Sequence, residues 1–177
     1  MGDADRDASE VMAKANIALI GMPGSGKTCL GRQLASDLSY SWLDIDNELH
    51  DIHGRIDLKT IGAKTFLERE ERLYRSIAVN QTVISCSGSS VYSESAMNHI
   101  AGIASVIYLK LPLAAIKTRL GDYGSRNVVN ASSMSLESLY STRSSLYERY
   151  ADYTVDVRRD DLLEQYLELL MICTTPA

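Results

Sequence analysis

Eight consecutive residues, Gly21-Met22-Pro23-Gly24-Ser25-Gly26-Lys27-Thr28, follow the spacing GxxxxGK[ST]. They stand directly after the apolar run Ile17-Ala18-Leu19-Ile20 and open a segment in which Leu30, Leu34 and Leu38 recur at helical spacing. A strand, a glycine loop and a helix in that order are the context that gives the motif its meaning. The glycines permit backbone angles that other residues resist, so successive N–H groups can turn inward around a β-phosphate at the positive end of the following helix. Lys27 supplies a mobile charge for the β- and γ-phosphates, and the Thr28 hydroxyl suits a Mg²⁺ ion that bridges them. Cys29 falls in the first turn of the same helix, where both a lowered thiol pKa and plain buried packing are open readings. Gly21, Gly24, Ser25, Gly26, Lys27, Thr28 and Cys29 are therefore the candidate nucleotide-binding residues. A loop of this kind serves kinases, GTPases and ATP-driven machines alike, so the acceptor side has to decide.

Asp44 and Asp46 close a second short apolar run, Trp42-Leu43-Asp44-Ile45. Two apart at the C-terminal end of a strand, they are expected to share a face where open α/β sheets bind ligands. Asp44 suits the shell of Mg²⁺, and Asp46 can accept the hydrogen bond of an incoming hydroxyl and orient or deprotonate it. The plainer alternative is that Asp46 caps the next helix.

The elements that would position these groups alternate along the whole chain, the pattern of an α/β domain with a mainly parallel sheet. Strands are expected at 17–20, 42–45, 82–84, 105–109 and 153–157. Helices are expected at 27–38, 46–53, around Phe66 to Ala78, and at 112–120, 136–150 and 162–171. The stretch Ser85 to Ser90 reads as a loop rich in serine and glycine. With 177 residues, a single domain over 15–177 is expected, preceded by a flexible segment over 1–14. The net charge of −5 provides no basic field for a nucleic acid, and no apolar run approaches the roughly 18 residues of a membrane span. Cys29, Cys86 and Cys173 are odd in number and lack metal spacing, which fits a reducing cytoplasm. His50, His53 and His99 likewise lack metal spacing and read as surface or packing residues.

Taken together these segments resemble the shikimate kinase family, small P-loop kinases with a five-stranded parallel sheet and a mobile lid. The likeness spans about Ile17 to Val157. It rests on the phosphate loop, on Leu43-Asp44-Ile45-Asp46 as the family's D-x-D, and on Phe66 with Glu70 in its F-R-x-x-E region. It continues through Ser87-Gly88-Ser89 at the family's three glycines, Ser125-Arg126-Asn127 in the lid, and Leu139-Tyr140 through Arg143 to Leu146-Tyr147 with Ala151-Asp152. The resemblance implies a three-layer α/β fold with helices flanking the sheet, and ATP and Mg²⁺ as cofactors held by Lys27, Thr28 and Asp44. It also implies Asp46 at the acceptor hydroxyl, Gly88 in backbone contact with the acceptor and Arg143 on an acceptor carboxylate. Arg126 becomes the lid arginine that closes over the transferred phosphoryl, within a lid near 119–132. A planar guanidinium holds carboxylate or phosphoryl charge in bidentate fashion, which suits both arginines. Arg119 faces the nucleotide or the lid, or caps a helix end. The implied partner is a small-molecule hydroxyl acceptor, with the protein a monomer or weak homodimer.

The departures from the family pattern fall on the acceptor site. Leu67 stands where the family places a carboxylate-binding arginine, Gly62-Ala63 where it has G-E, and Asn127 where the lid has proline. Ser87 and Ser89 replace two of three glycines, adding β-carbons and hydroxyls; Ser89 is taken as a substrate-binding candidate beside Gly88. Loss of one partner for a buried carboxylate costs several kcal/mol, which weighs against shikimate as the acceptor. Arg69 lies two positions on, and at about 100° per residue it points away from the face of Leu67. Two readings remain open. One is a kinase for a smaller or less acidic acceptor, such as a polyol or amino-alcohol. The other is a nucleotide-binding module that has lost transfer chemistry and acts through a partner or ligand-induced closure.

Overall fold

The computed structural model describes residues 14–54, 56–121, 128–130, 133–157 and 162–174. Five strands form one parallel sheet: β1 (Asn16–Ile20), β2 (Ser41–Asp44), β3 (Thr82–Ser85), β4 (Ala104–Lys110) and β5 (Tyr153–Asp156), in the spatial order β2-β3-β1-β4-β5. The seven helices among the described residues are α1 (Lys27–Leu38), α2 (Ile45–His53), α3 (Leu58–Ser76), α4 (Glu94–Ile103), α5 (Leu113–Leu120), α6 (Leu136–Tyr150) and α7 (Leu162–Thr174). Every residue of β1 and β3 and nearly all of β4 is buried, so these strands are covered on both faces, as a parallel sheet between two helical layers requires. The edge strands β2 and β5 are only partly buried. No helix of the described residues is long and apolar enough to cross a membrane.

Polar side chains fix the sheet at its lower end. Asn16 is buried at the start of β1, donates to the carbonyls of Val79 and Ile103 at 2.9 and 3.0 Å, and accepts the Thr82 amide at 3.0 Å. Its amide is thereby spent on the chain leading into both neighbouring strands, which a buried polar group needs.

The elements depart from the sequence expectation in three places. Ile45 opens α2 rather than closing β2, because Asp44 takes the N-cap position and its carboxylate accepts the Asn47 amide at 3.2 Å. Asp46 therefore lies in the first turn of α2 and not on a strand face, and the capping role considered for Asp46 belongs to Asp44. The long helix α3 starts earlier than expected, at Leu58 behind an Asp57 cap, and is broken at Gly62, whose φ of 78° and ψ of 154° leave the helical region. Helix α4, unexpected from the sequence, is started by Ser93, whose hydroxyl accepts the Ala96 amide at 3.1 Å after a 3₁₀ turn at Ser90–Tyr92.

Candidate active site

The loop after β1 delivers a chain of close contacts that only glycine permits at its two ends. At Gly21, with φ of 147°, a β-carbon would stand 2.8 Å from the Leu109 carbonyl oxygen; Gly26 takes φ of 102° as the N-cap of α1. Helices α2, α3, α4 and α6 each have a side chain that accepts an N-terminal amide, whereas α1, like α5, has none. Its first N–H groups are left for an anion, the donor set a nucleotide phosphate requires. Lys27 is buried at the head of this helix, with Nζ donating to the carbonyls of Gly21 and Met22 at 2.9 and 3.0 Å. Burial pushes its pKa down to about 8, opposed by the nearby carboxylate of Asp46 and, less strongly, of Asp44.

The next residue connects the loop to β2. Thr28 Oγ1 donates to Asp44 Oδ2 at 2.8 Å, so a hydroxyl and a carboxylate lie side by side at the mouth of the loop. Two hard oxygens there, completed by phosphate and water, are the donor set that Mg²⁺ prefers over an all-protein cage. These residues fit the ion. Lys27 is anchored from behind as well: its carbonyl accepts the Ser85 hydroxyl at 3.0 Å, and Ser85 in turn accepts the Trp42 indole N–H at 3.0 Å.

A cleft of about 350 Å³ opens over the loop, lined by Pro23, Gly24, Gly26, Lys27, Thr28, Cys29, Asp46 and Gly88. The first turn of α2 thus brings Asp46 to the same cavity as the lysine. Water reaches Asp46, yet the crowded cleft raises its carboxyl pKa, with Lys27 opposing and Asp44 reinforcing the shift.

Gly88 enters from the loop after β3 and packs tightly. A β-carbon there would lie 2.9 Å from Pro23 Cδ and 3.1 Å from Arg143 Nη1. Helix α6 meets it with two residues one turn apart. Arg143, 1% exposed, donates through Nη2 to the Val129 carbonyl at 3.0 Å and through Nε to Tyr92 Oη at 3.2 Å, and lies 5.1 Å from the Tyr92 ring centroid. Tyr147 donates its hydroxyl to the Gly88 carbonyl at 2.7 Å. No ion pair to Arg143 exists among the described residues; the buried guanidinium stands beside the cleft with the Glu70 carboxyl as a more distant electrostatic partner.

The hydroxyls of the serines flanking Gly88 are engaged within the protein. Both hydroxyls turn toward α3 and donate to Glu70 Oε1, Ser89 at 2.8 Å. The hydroxyl expected at Ser89 to meet an acceptor is thus engaged by a buried carboxylate, and only Gly88 of the three lines the cleft. Leu67 stands one turn before Glu70, on its face of α3 by spacing; neither Leu67 nor Arg69 is among the cleft-lining residues.

The remaining expectations divide. Arg119, at the end of α5, donates through Nη1 to the Gly24 carbonyl at 2.9 Å, so it supports the phosphate loop directly. Cys29 is exposed at the cleft rather than packed in the core. Arg126 and most of the expected lid lie outside the described residues, as do residues 1–13 of the expected flexible segment. Glu70, Tyr92 and Tyr147 were not singled out as site residues from the sequence; the signal that could have found the first was a glutamate and two serines in segments that both border the acceptor side.

A family model described as shikimate kinase matches residues 23–172. Shikimate kinase of Pasteurella multocida is 36% identical over 151 residues, covering 80% of this chain and 85% of that protein. Shikimate kinase 1 of Escherichia coli is 32% identical over 157 residues, covering 84% and 88%. Mouse threonine synthase-like 1 is 32% identical over 123 residues, which are 67% of this chain and 16% of that longer protein. Among solved structures, shikimate kinase from Acinetobacter baumannii in complex with shikimate superposes with a TM-score of 0.80 over 94% of this chain and 96% of that one, at 24% identity, a likeness of fold.

Proposed function

The chain belongs to the shikimate kinase family of small-molecule phosphotransferases, and we propose that it passes the γ-phosphoryl of ATP to a hydroxyl of a small acceptor that is smaller or less acidic than shikimate. The observation that carries this reading is the cleft in which Asp46, Lys27 and the Gly88 backbone meet above the phosphate loop. Lys27 and the N-terminal amides of α1 hold the phosphates, and Arg119 braces the loop through Gly24. Thr28 and Asp44 would hold Mg²⁺, which when bound neutralises and orients the β- and γ-phosphates. Asp46, which shares the cleft with Lys27, accepts the hydrogen bond of the acceptor hydroxyl. Arg143 offers a desolvated cation to an anionic group of the acceptor. Arg126, from its place in the family motif, closes over the phosphoryl in transfer.

The sequence argues against shikimate itself: Leu67, which does not line the cleft, takes the place of the family's carboxylate-binding arginine, so an acceptor carboxylate loses one cationic partner. A second reading, a nucleotide-binding module without transfer chemistry, draws on the same substitution and on the engagement of Ser87 and Ser89 by Glu70. A panel of hydroxyl acceptors incubated with ATP and Mg²⁺ separates the two. Product with one acceptor class supports the kinase, and tight ATP binding with no product on any acceptor supports the module. With a productive acceptor, Asp46→Asn is expected to lower kcat by ~10²–10⁴-fold while ATP affinity stays within a few-fold. Unchanged turnover would remove Asp46 from the acceptor role.

A further inference from the structure

Glu70 is 1% exposed in the middle of α3 and faces the loop after β3. Its Oε1 takes the hydroxyls of both Ser87 and Ser89. Ser87 is also tied to the next turn of α3, its amide donating to Tyr74 Oη at 3.0 Å and its hydroxyl 3.3 Å from the same oxygen. Between the two serines lies Gly88, which lines the cleft beside Asp46 and leaves no room for a β-carbon between itself, Pro23 and Arg143. One buried carboxylate therefore grips both ends of a three-residue turn whose middle residue meets the acceptor side and the arginine. No ion pair to Glu70 exists among the described residues, so hydroxyl donors take the part that a cation would ordinarily play.

We propose that Glu70, through Ser87 and Ser89, is a positioning residue that sets the placement of Gly88 against Arg143 at the acceptor side of the cleft. The proposal deepens the acceptor-site reading above and rests on it for the word acceptor. The physical lever is charge: a carboxylate accepts hydroxyl hydrogen bonds about twice as strongly as a neutral acid. Burial pushes the Glu70 carboxyl up to about 7, the two serine bonds pull it down, Asp46 from α2 raises it and Arg143 from α6 lowers it. Tyr74 and Cys86, the other titratable groups facing it, stay protonated through neutrality because burial drives both upward, Cys86 to about 12. Among the groups bonded to Ser87 and Ser89, Glu70 is thus the one whose charge state changes near neutral pH; Lys27, which lines the cleft with Gly88, titrates at about 8 and is followed separately.

The test needs no acceptor. In the full-length protein labelled with ¹⁵N and with ¹³C-glutamate, the Gly88 amide and the Glu70 carboxyl carbon are followed from pH 5 to 9. Both are expected to share a step with a common midpoint near 7, and that step is expected to vanish from the Gly88 titration in Glu70→Gln, leaving the step of Lys27 at about 8. Ser89→Ala, the milder change, removes a donor to the charged form and is expected to raise the Glu70 midpoint by roughly one pH unit. A Gly88 amide that is flat with pH in the wild type, or that titrates identically in Glu70→Gln, overturns the proposal. An unmoved midpoint in Ser89→Ala overturns it as well. Failure here leaves the Asp46→Asn result untouched, and failure of the kinase reading leaves this titration untouched.

Discussion

Tyr147 on α6 donates its hydroxyl to the carbonyl of Gly88 at 2.7 Å, across 59 residues of chain. The same helix, one turn earlier, brings the Arg143 guanidinium to within 3.1 Å of where a Gly88 β-carbon would be. Helix α6 therefore holds the loop after β3 by a neutral hydrogen bond, while its charged group is held by Val129 and Tyr92. The separation of the two jobs makes the first prediction possible.

Tyr147→Phe keeps the ring and its packing against Tyr108, whose centroid lies 5.1 Å away, and removes only the hydroxyl. The Gly88 carbonyl then loses its donor. A stability loss of about 1 kcal/mol is expected in denaturant titrations. With a productive acceptor the KM for that acceptor should rise several-fold, while ATP affinity stays as in the wild type. A change in ATP affinity with none in acceptor KM would contradict the placement of this bond on the acceptor side.

Gly31, in the second turn of α1, faces β2 and β3 so closely that a β-carbon would lie 2.4 Å from Ser85 Oγ and 3.3 Å from Trp42 Nε1. Gly31→Ala should push Ser85 aside and break the line Trp42–Ser85–Lys27 carbonyl. The expected cost is ~1–3 kcal/mol, in the range of overpacked cores. Trp42 is the single tryptophan of the chain, so its fluorescence reads the loss of the indole hydrogen bond directly. An unaltered emission spectrum together with unaltered stability would show that the helix shifts to absorb the methyl group.

The buried carboxyl of Glu70 ties stability to pH. Its pKa in the folded chain is about 7, against an ordinary value of 4.5, so between these pH values the unfolded chain releases the proton while the folded chain keeps it. Stability is therefore fullest below about 4.5 and is lost as pH rises to about 7, a contribution of about 3 kcal/mol at most. Because Asp46 and other groups titrate too, the measurement is the difference between wild type and Glu70→Gln in urea unfolding at several pH values. The wild type is expected to lose stability relative to the variant as pH climbs through that window. A constant difference would mean that Glu70 ionises at its ordinary pKa.

The phosphate loop and the alternation of strands and helices were legible in the sequence because both depend on residues close together along the chain. Gly21 to Thr28 sit in consecutive positions, and the loop over which the cleft opens is built by that one short segment. The buried strands announced themselves as apolar runs. Local signals were weaker at Asp44, where the choice between last strand residue and helix cap turned on one amide hydrogen bond from Asn47. They failed at α4, whose alanines, methionine and isoleucines over Glu94–Ile103 lie within a serine-rich neighbourhood and carry only a short amphipathic pattern.

What the amino-acid sequence determined by itself was the donor half: a phosphate-binding loop on a parallel α/β sheet, with Asp44 at the end of β2; the place of Asp46 in the first turn of α2 was settled by the fold. What only the tertiary structure decided was how the acceptor half is used. Ser87 and Ser89 look from the sequence like groups offered to a ligand, and Arg143 like a charge that water could equally hold. Folding turns the two hydroxyls inward to Glu70 and buries the guanidinium beside Gly88. The reason is that a hydrogen bond inside the protein depends on which helix packs across the loop, and α3 and α6 reach this loop from positions 17 and 59 residues distant in the chain.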